Sequence, residues 1–507
     1  MPQCGCLSVR WHVTCDQCDR CWQCLQSSYR YHVFIETFIC YRDSATCWGP
    51  LISLQRIFRS HLTMPQDLSP ITLLSNEILG YIFELNSDMG DDDAYEKNTT
   101  SGDPSIAFLT LLRSSRVCLL WRDYIINSPS LWGRVVNLNS FTARVRPQQW
   151  ETLMSRTGNA PLHLRAKINH QNFDKIVPFI ISVLERYWAR VMSFDVVSRG
   201  VKSPLEQMVP IFSLQAPLLV SFRIKSSYIT GSRFTFPEAL FSNYAPRLRG
   251  FYFGGININL HNSWGSQIRS LRIETPRSRF NPSALLQQIS QLPLLESLAL
   301  HYIFDDADNA TGLSTPIHLP NLQHVGVVDH SHARQSLRFL GGLKTGSGCC
   351  LRLDTGFDSA VEDVPLVDWT NVVEHYAQGY FEEHQVNTLS VRVTNRMVSI
   401  EELTPASNGF FFKIEYPSWP FDILNSVIKK CQCGFVKTLA LWIDKDLNFV
   451  ATSDHILLSF ARLFPNVEIL KTSPYTLDLC YKPSRDFDIP ILPMLRELWL
   501  DGHMYSI

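Results

Sequence analysis

Charge of one sign is what this 507-residue chain lacks: 46 lysines and arginines stand against 47 aspartates and glutamates, a formal net charge of −1. With no long basic block either, nothing points to nucleic acid held by bulk electrostatics. Long apolar runs are missing too. No uninterrupted stretch approaches the roughly 20 residues a membrane-spanning helix needs, so no membrane association is expected. The start carries cysteines, charges and histidines where a signal peptide would place a positive stretch followed by an apolar one. The sequons Asn98-Thr99-Thr100 and Asn309-Ala310-Thr311 are therefore discounted, and a soluble cytoplasmic or nuclear protein is expected.

Motifs of catalysis are also absent. Gly341-Gly342-Leu343-Lys344-Thr345-Gly346-Ser347-Gly348 has the glycines of a phosphate loop, but a Walker A lysine must follow the last glycine directly. His330-Ser331-His332 and Cys431-Gln432-Cys433 could each offer two metal ligands, yet no third or fourth is placed by spacing. No nucleophile elbow and no zinc-protease spacing appears. After Met64 there is no zinc-binding Cys/His framework either. A non-enzyme without cofactor or metal is expected.

What is present is apolar material: 45% hydrophobic residues, 12% aromatic, enough for folded cores in a chain too long for one. Eight of the 14 cysteines fall in the first 47 residues. Cys15, Cys18, Cys21 and Cys24 lie three apart, which could let neighbouring thiolates share a soft metal ion. A zinc site usually joins two such pairs across a dozen or more residues, and here all four thiols are crowded together. Composition shifts abruptly at Met64-Pro65-Gln66-Asp67-Leu68, which reads as an alternative start. Residues 1–63 are expected to be a disordered extension or no part of the working protein.

Residues 64–140 carry helical periodicity. Ile78, Leu79, Ile82, Phe83 and Leu85 recur at helical spacing, with Ser75 as N-cap and Glu77 in the first turn. An acidic, Gly- and Pro-containing stretch from Asp88 to Pro104 interrupts them. It lacks the alternating acids and closing Glu of a calcium loop and is read as a solvated insertion. Helical spacing returns with Phe108, Leu111 and Leu112, then Val117, Trp121, Tyr124 and Ile125, until Pro129.

Leu74-x-x-Glu77-Ile78-Leu79, Ile82-Phe83, Val117-Cys118-x-x-Trp121-Arg122 and Ser128-Pro129-x-Leu131-Trp132 together resemble the F-box family in its fungal, mushroom-type form. Ser75 stands where the family has proline. The resemblance covers about 60 residues and implies a three-helix module that docks the Skp-type adaptor of cullin–RING ubiquitin ligases. By the same resemblance the docking residues are Leu74, Ile78, Leu79, Ile82, Phe83, Val117 and Trp121, some of them shared with the module's own core.

Over residues 141–507 a register Φ-x-x-Φ-x-Φ (Φ apolar) recurs, often with Pro two residues ahead. It opens at Val191, Leu219, Leu248, Ile268, Leu295 and Leu322, so successive starts are 28, 29, 20, 27 and 27 apart. It returns at Val386, Val436, Val467 and Leu495, with a weak unit at Leu351-Leu353 between. Helical segments follow Asn281-Pro282, run through Ile423 to Ile428, and start at Asp454. The period is close to the roughly 20–29 residues of leucine-rich repeats. The fold expected is α/β: an F-box-like helical module followed by an irregular leucine-rich-repeat-like solenoid.

The function implied is a non-catalytic substrate receptor of an SCF-type ligase, binding the adaptor through the helices and a protein target through the repeats. The alternative is a repeat scaffold whose F-box-like helices only cap the solenoid. For the cysteine-rich start, metal analysis of the purified chain should find zinc and iron far below one per molecule. A near-stoichiometric metal would establish a metal module there.

Overall fold

The computed structural model describes, isolated positions aside, residues 74–88, 105–142, 147–199, 205–226, 239–256, 263–276, 279–305, 316–356, 366–403, 409–415, 433–445, 462–484 and 492–506. The cysteine-rich start, the acidic insertion from 89 to 104 and most of the helix expected after Asp454 lie outside them.

Four helices come first: α1 (Asn76–Ser87), α2 (Ile106–Ser114), α3 (Leu119–Ile126) and α4 (Pro129–Arg134). Ser75 holds the N-cap position of α1 with extended backbone, but its hydroxyl does not cap; it hydrogen-bonds Glu77 and holds that carboxyl below its ordinary pKa. Cys118 caps α3, its sulfur accepting from the Trp121 N–H. Gly80, costly within a helix by propensity alone, has a packing reason. A Cβ there would stand 2.3 Å from the Tyr124 hydroxyl, so glycine lets α3 close on α1. Phe83 meets Trp121 edge-on at 5.1 Å, and Trp132 Nε1 donates to the Ile125 carbonyl at 2.8 Å. Leu79, Phe83, Leu111, Trp121, Ile125 and Trp132 form the buried centre.

The chain then enters a sheet. Strand β1 (Val136–Asn137) is followed by α5 (Asn139–Thr142), α6 (Pro147–Thr157), β2 (Leu162–Ile168), α7 (Phe173–Tyr187) and β3 (Val191–Ser198). Next come the short helix α8 (Val209–Phe212), β4 (Ser221–Ser226), β5 (Gly250–Gly254), β6 (Ser270–Glu274), α9 (Pro282–Ile289) and β7 (Ser297–His301). After β8 (Ile317–Leu319) and β9 (His324–Asp329) follow α10 (Ala333–Gly341), β10 (Leu343–Thr345), β11 (Cys350–Thr355) and α11 (Leu366–Glu383). The last elements are β12 (Thr388–Thr394), β13 (Met397–Glu402), β14 (Phe411–Glu415), β15 (Thr438–Ile443), β16 (Ile469–Thr472), α12 (Pro474–Ser484), β17 (Glu497–Leu500) and β18 (His503–Ser506). Sixteen strands make one open sheet in the order β1-β2-β3-β4-β5-β6-β7-β9-β11-β14-β13-β12-β15-β16-β17-β18; β8 and β10 pair separately.

Architecture is thus mixed α/β around a large, mostly parallel sheet. All ten Φ-x-x-Φ-x-Φ units fall on strands, and the weak unit at Leu351-Leu353 is a full strand bonded on both sides. The first Φ closes a turn ahead of its strand: the N–H groups of Leu219, Leu248, Leu295, Leu322 and Leu495 each bond the carbonyl three residues back. Beside several strands one carbonyl then accepts two N–H groups of the next unit, as Arg269 does from Glu296 and Ser297. Asn281 caps α9, its side chain accepting from Ser283 N–H.

Strand burial alternates, so one face of the sheet is covered and the other open. On the covered face, Phe194, Phe222 and Phe251 are register partners, their rings stacked at 5.5 and 5.7 Å. Phe212, Phe241 and Trp264 close over them from the connections at 4.9–5.3 Å. The one departure from sequential order is β12 to β14. These strands run antiparallel to one another back toward β11, and β15 continues on β12 instead.

A single buried cluster runs from Leu79 through Trp132, Val136 and Leu164 to Leu479. The glycine stretch at 341–348 ends α10, forms β10 and turns into β11, a connection within the fold. No helix among the described residues is long and apolar enough to cross a membrane. At Gly133 a Cβ would stand 2.3 Å from the Pro161 carbonyl oxygen, where α4 abuts the start of β2. Gly133→Ala should destabilise the chain by about 1–3 kcal/mol in urea titration. The control is Gly326→Ala, where nothing lies nearer than 3.8 Å; it should stay within about 0.5 kcal/mol of wild type. Equal stability of the two variants would contradict the close approach.

Candidate functional site

Two surfaces are left uncovered by this packing. The first is on the helices. At 100° per residue, Leu79 and Phe83 put α1's buried stripe on one side, while Ile78, Tyr81, Ile82 and Leu85 form a second apolar stripe nearly opposite. Tyr81 is 54% exposed, Ile78 and Leu85 more than a third, and Ile82 is half-buried. Helix α3 repeats the arrangement: Trp121 and Ile125 face inward, while Leu119, 76% exposed, and Ile126 face out beside Leu120 and the preceding Val117. Seven of the seventeen exposed large apolar side chains among the described residues lie between Ile78 and Ile126. Scattered apolar residues on a surface need no explanation, but such a concentration marks an interaction surface.

The residues picked from sequence therefore divide. Ile78 and Val117 are exposed, Ile82 and Leu74 are half-buried, and Leu74 packs at the edge of the core. Leu79, Phe83 and Trp121 are corrected out of any docking surface: they are buried against one another and their neighbours, with no face left to offer. Tyr81, Leu85, Leu119, Leu120 and Ile126 were missed. Position around the helix, read against a known inner face, would have found them.

The second surface is the open face of the sheet. It carries rows of register partners, one of them Arg165, Asp195, Arg223, Tyr252, Arg272, Ala299, Gly326 and Arg352. Asp195 lies 3.6 Å from both Arg165 and Arg223. Tyr252 is held between two guanidinium groups, Arg223 at 4.8 Å and Arg272 at 5.1 Å from its ring centroid. Its hydroxyl donates to the Glu274 carboxylate, which also receives Lys225 at 2.9 Å. Burial, with that bond, raises the Tyr252 pKa far above its ordinary value, and the Tyr252 and Lys225 bonds hold Glu274 below its own against a desolvation that opposes them. Further along, Lys413 bridges Asp354 at 3.2 Å and Glu415 at 2.8 Å. The face is charged with both signs, mostly satisfied in pairs.

His332 is buried, its Nδ1 3.1 Å from Asp329 Oδ1 and its Nε2 2.8 Å from Arg279, which makes it a structural residue at the start of α10. Among the described residues no group of three or more His, Cys, Asp or Glu is placed to hold a metal ion. Cys431 and Cys433 are buried, and their mutual hydrogen bond together with burial raises the Cys431 thiol pKa well above ordinary. No family model matches the chain, and no curated protein matches it.

His301, beside Glu274 on the open face, is pushed down to about 4 by burial first and by the Arg272 charge second, with Lys225 and Arg352 adding and Glu274 opposing. Unfolded, it titrates near its ordinary 6.5. As pH falls from there toward about 4, the unfolded chain takes up the proton first, so stability present above that window is lost through it. His301→Gln should remove that share of the loss, read from urea midpoints at about pH 7 and about pH 5. An unchanged pH slope in the variant would mean the imidazole is not held neutral.

Proposed function

We propose that this chain is a non-catalytic substrate receptor of an SCF-type cullin–RING ubiquitin ligase, acting in the cytoplasm or nucleus. Its F-box-like helices dock the Skp-type adaptor and its irregular leucine-rich-repeat-like array holds a protein target. The observation that carries the proposal is the second apolar stripe on α1 and α3, opposite the stripe that packs inward. A short helix that is apolar on two sides is suited to burial on two sides, and among the described residues only the inner one is covered. The family motifs give the partner its identity: the same helices carry Val117-Cys118-x-x-Trp121-Arg122 and Pro129-x-Leu131-Trp132.

No chemistry is asked of this chain. A receptor raises the effective concentration of a target lysine near the charged conjugating enzyme, and the bond is made elsewhere. A scaffold whose helices only cap the array remains the second reading, favoured by the shared core of Trp132, Val136 and Leu164. The two differ in the outer stripe alone. Capping needs the inner face, whereas docking needs Tyr81 and Leu119.

The full chain should be retained by an immobilised Skp-type adaptor. Tyr81→Arg and Leu119→Arg should each weaken retention by about tenfold or more. Because both side chains are exposed, unfolding midpoints should move by less than about 0.5 kcal/mol. Absence of retention by the wild-type chain would leave the capping scaffold as the function.

A further inference from the structure

On the open sheet face four register partners in a row are Arg272, Ala299, Gly326 and Arg352, on β6, β7, β9 and β11. Two residues with little or no side chain thus lie between two arginines. Three inter-strand steps separate the arginines, about 14 Å between their Cα atoms. Packing does not require the glycine: a Cβ on Gly326 would meet nothing nearer than 3.8 Å, and its φ is not positive. The gap is room that the fold leaves open.

The two guanidinium groups differ from the other charges on this face. Asp195, Glu274 and Asp354 are each engaged by a neighbouring cation. Arg272 and Arg352 have no carboxylate within ion-pair distance among the described residues; each lies over an aromatic ring instead, Tyr252 at 5.1 Å and Phe411 at 4.7 Å. Arg272 Nε is buried with no hydrogen-bond partner among the described residues. Stacking fixes the plane of a guanidinium without using its N–H donors, which stay available to a carboxylate. His301 and His324, on the strands that floor it, are both held toward the neutral form by burial and can add hydrogen bonds.

We infer that this gap receives an acidic segment of a partner protein, one carboxylate at Arg272 and a second at Arg352. Four residues of extended chain span about 14 Å, so acids four positions apart reach both arginines. A nucleic-acid backbone fits less well. It needs cations in succession, and here Asp195, Glu274, Asp354 and Glu415 interrupt them on a chain of net charge −1. The inference rests on the open sheet face being the target-binding surface, and it is independent of adaptor docking on α1 and α3.

Fluorescence anisotropy with the full chain tests it. The probe is a short labelled Gly/Ser peptide carrying two glutamates four positions apart; its comparators are the same peptide with glutamines and an oligothymidylate. The glutamate peptide should bind at least about tenfold tighter than the glutamine peptide, and added salt should erode the difference. Arg272→Gln with Arg352→Gln should bring it to the glutamine level. Gly326→Val, which fills the gap and leaves both charges, should weaken it by a similar factor. The single exposed change Arg352→Gln covers the case in which the double variant does not fold. Equal binding of the two peptides, including none of either, overturns the inference. So does wild-type affinity in Arg352→Gln, or tighter binding of the oligothymidylate. Adaptor retention of the same variants should equal wild type, so failure here and failure of the adaptor reading are told apart.

Discussion

Everything in this fold depends on how a strand with one apolar face gets that face covered. Each strand of the parallel run brings two or three inward side chains and a connection too short to enclose them, so cover comes from the strands and connections on either side. Phe222 shows the arrangement: it stacks between Phe194 and Phe251 and receives Phe212 and Phe241 from above. Such a stack has no natural beginning, because its first strand has a neighbour on one side only. Trp132, Leu131 and Val136 supply that missing neighbour, and the small helices are held in place by doing so. Gly133 belongs to the same constraint, since the end of α4 can reach the first long strand only where no Cβ intervenes.

This has a functional corollary. An end cap must be apolar inward, and an ordinary cap would be polar outward. Helices α1 and α3 instead stay apolar on the far side, with Tyr81 and Leu119 standing in solvent. The helical unit that closes the sheet through α4 and β1 thus also carries an uncovered apolar face on α1 and α3. The open sheet face differs from this apolar surface in character. It is polar and mostly paired in charge, Arg272 and Arg352 excepted.

Strands of the parallel run were legible in the sequence because one register served all of them. Leu219, Leu248, Leu295 and Leu322 close the same turn with the same bond, and repetition at near-constant spacing makes a weak local pattern readable. Strands β13 and β14 escaped because Met397-Val398-Ser399-Ile400 and Phe411-Phe412-Lys413-Ile414 alternate in the ordinary way of hairpins and follow no period. The helical surface was half legible. Hydrophobic spacing marks which side chains line a helix, yet Leu79 and Ile78 look alike until the inner face is known. Burial sent Leu79, Phe83 and Trp121 to the core and left Ile78 and Val117 outside. Apolar spacing does not separate what holds a helical unit together from what its surface offers.

The reversal of order at β12 to β14 bears on how the chain can be assembled from its N-terminus. Up to β11 every strand of the large sheet finds its partner already made, so a growing chain could extend it one strand at a time. Beyond β11 this stops: the outer neighbour of β11 is β14, and β12 and β13 emerge first with no place on that edge. That edge, with the N–H and C=O groups of Arg352 to Thr355 turned outward, stays bare until Glu415 has been synthesised. A bare sheet edge is the part of a nascent protein most open to pairing with the wrong strand. While the chain between Thr355 and Glu415 is being made, that edge is therefore without its final partner.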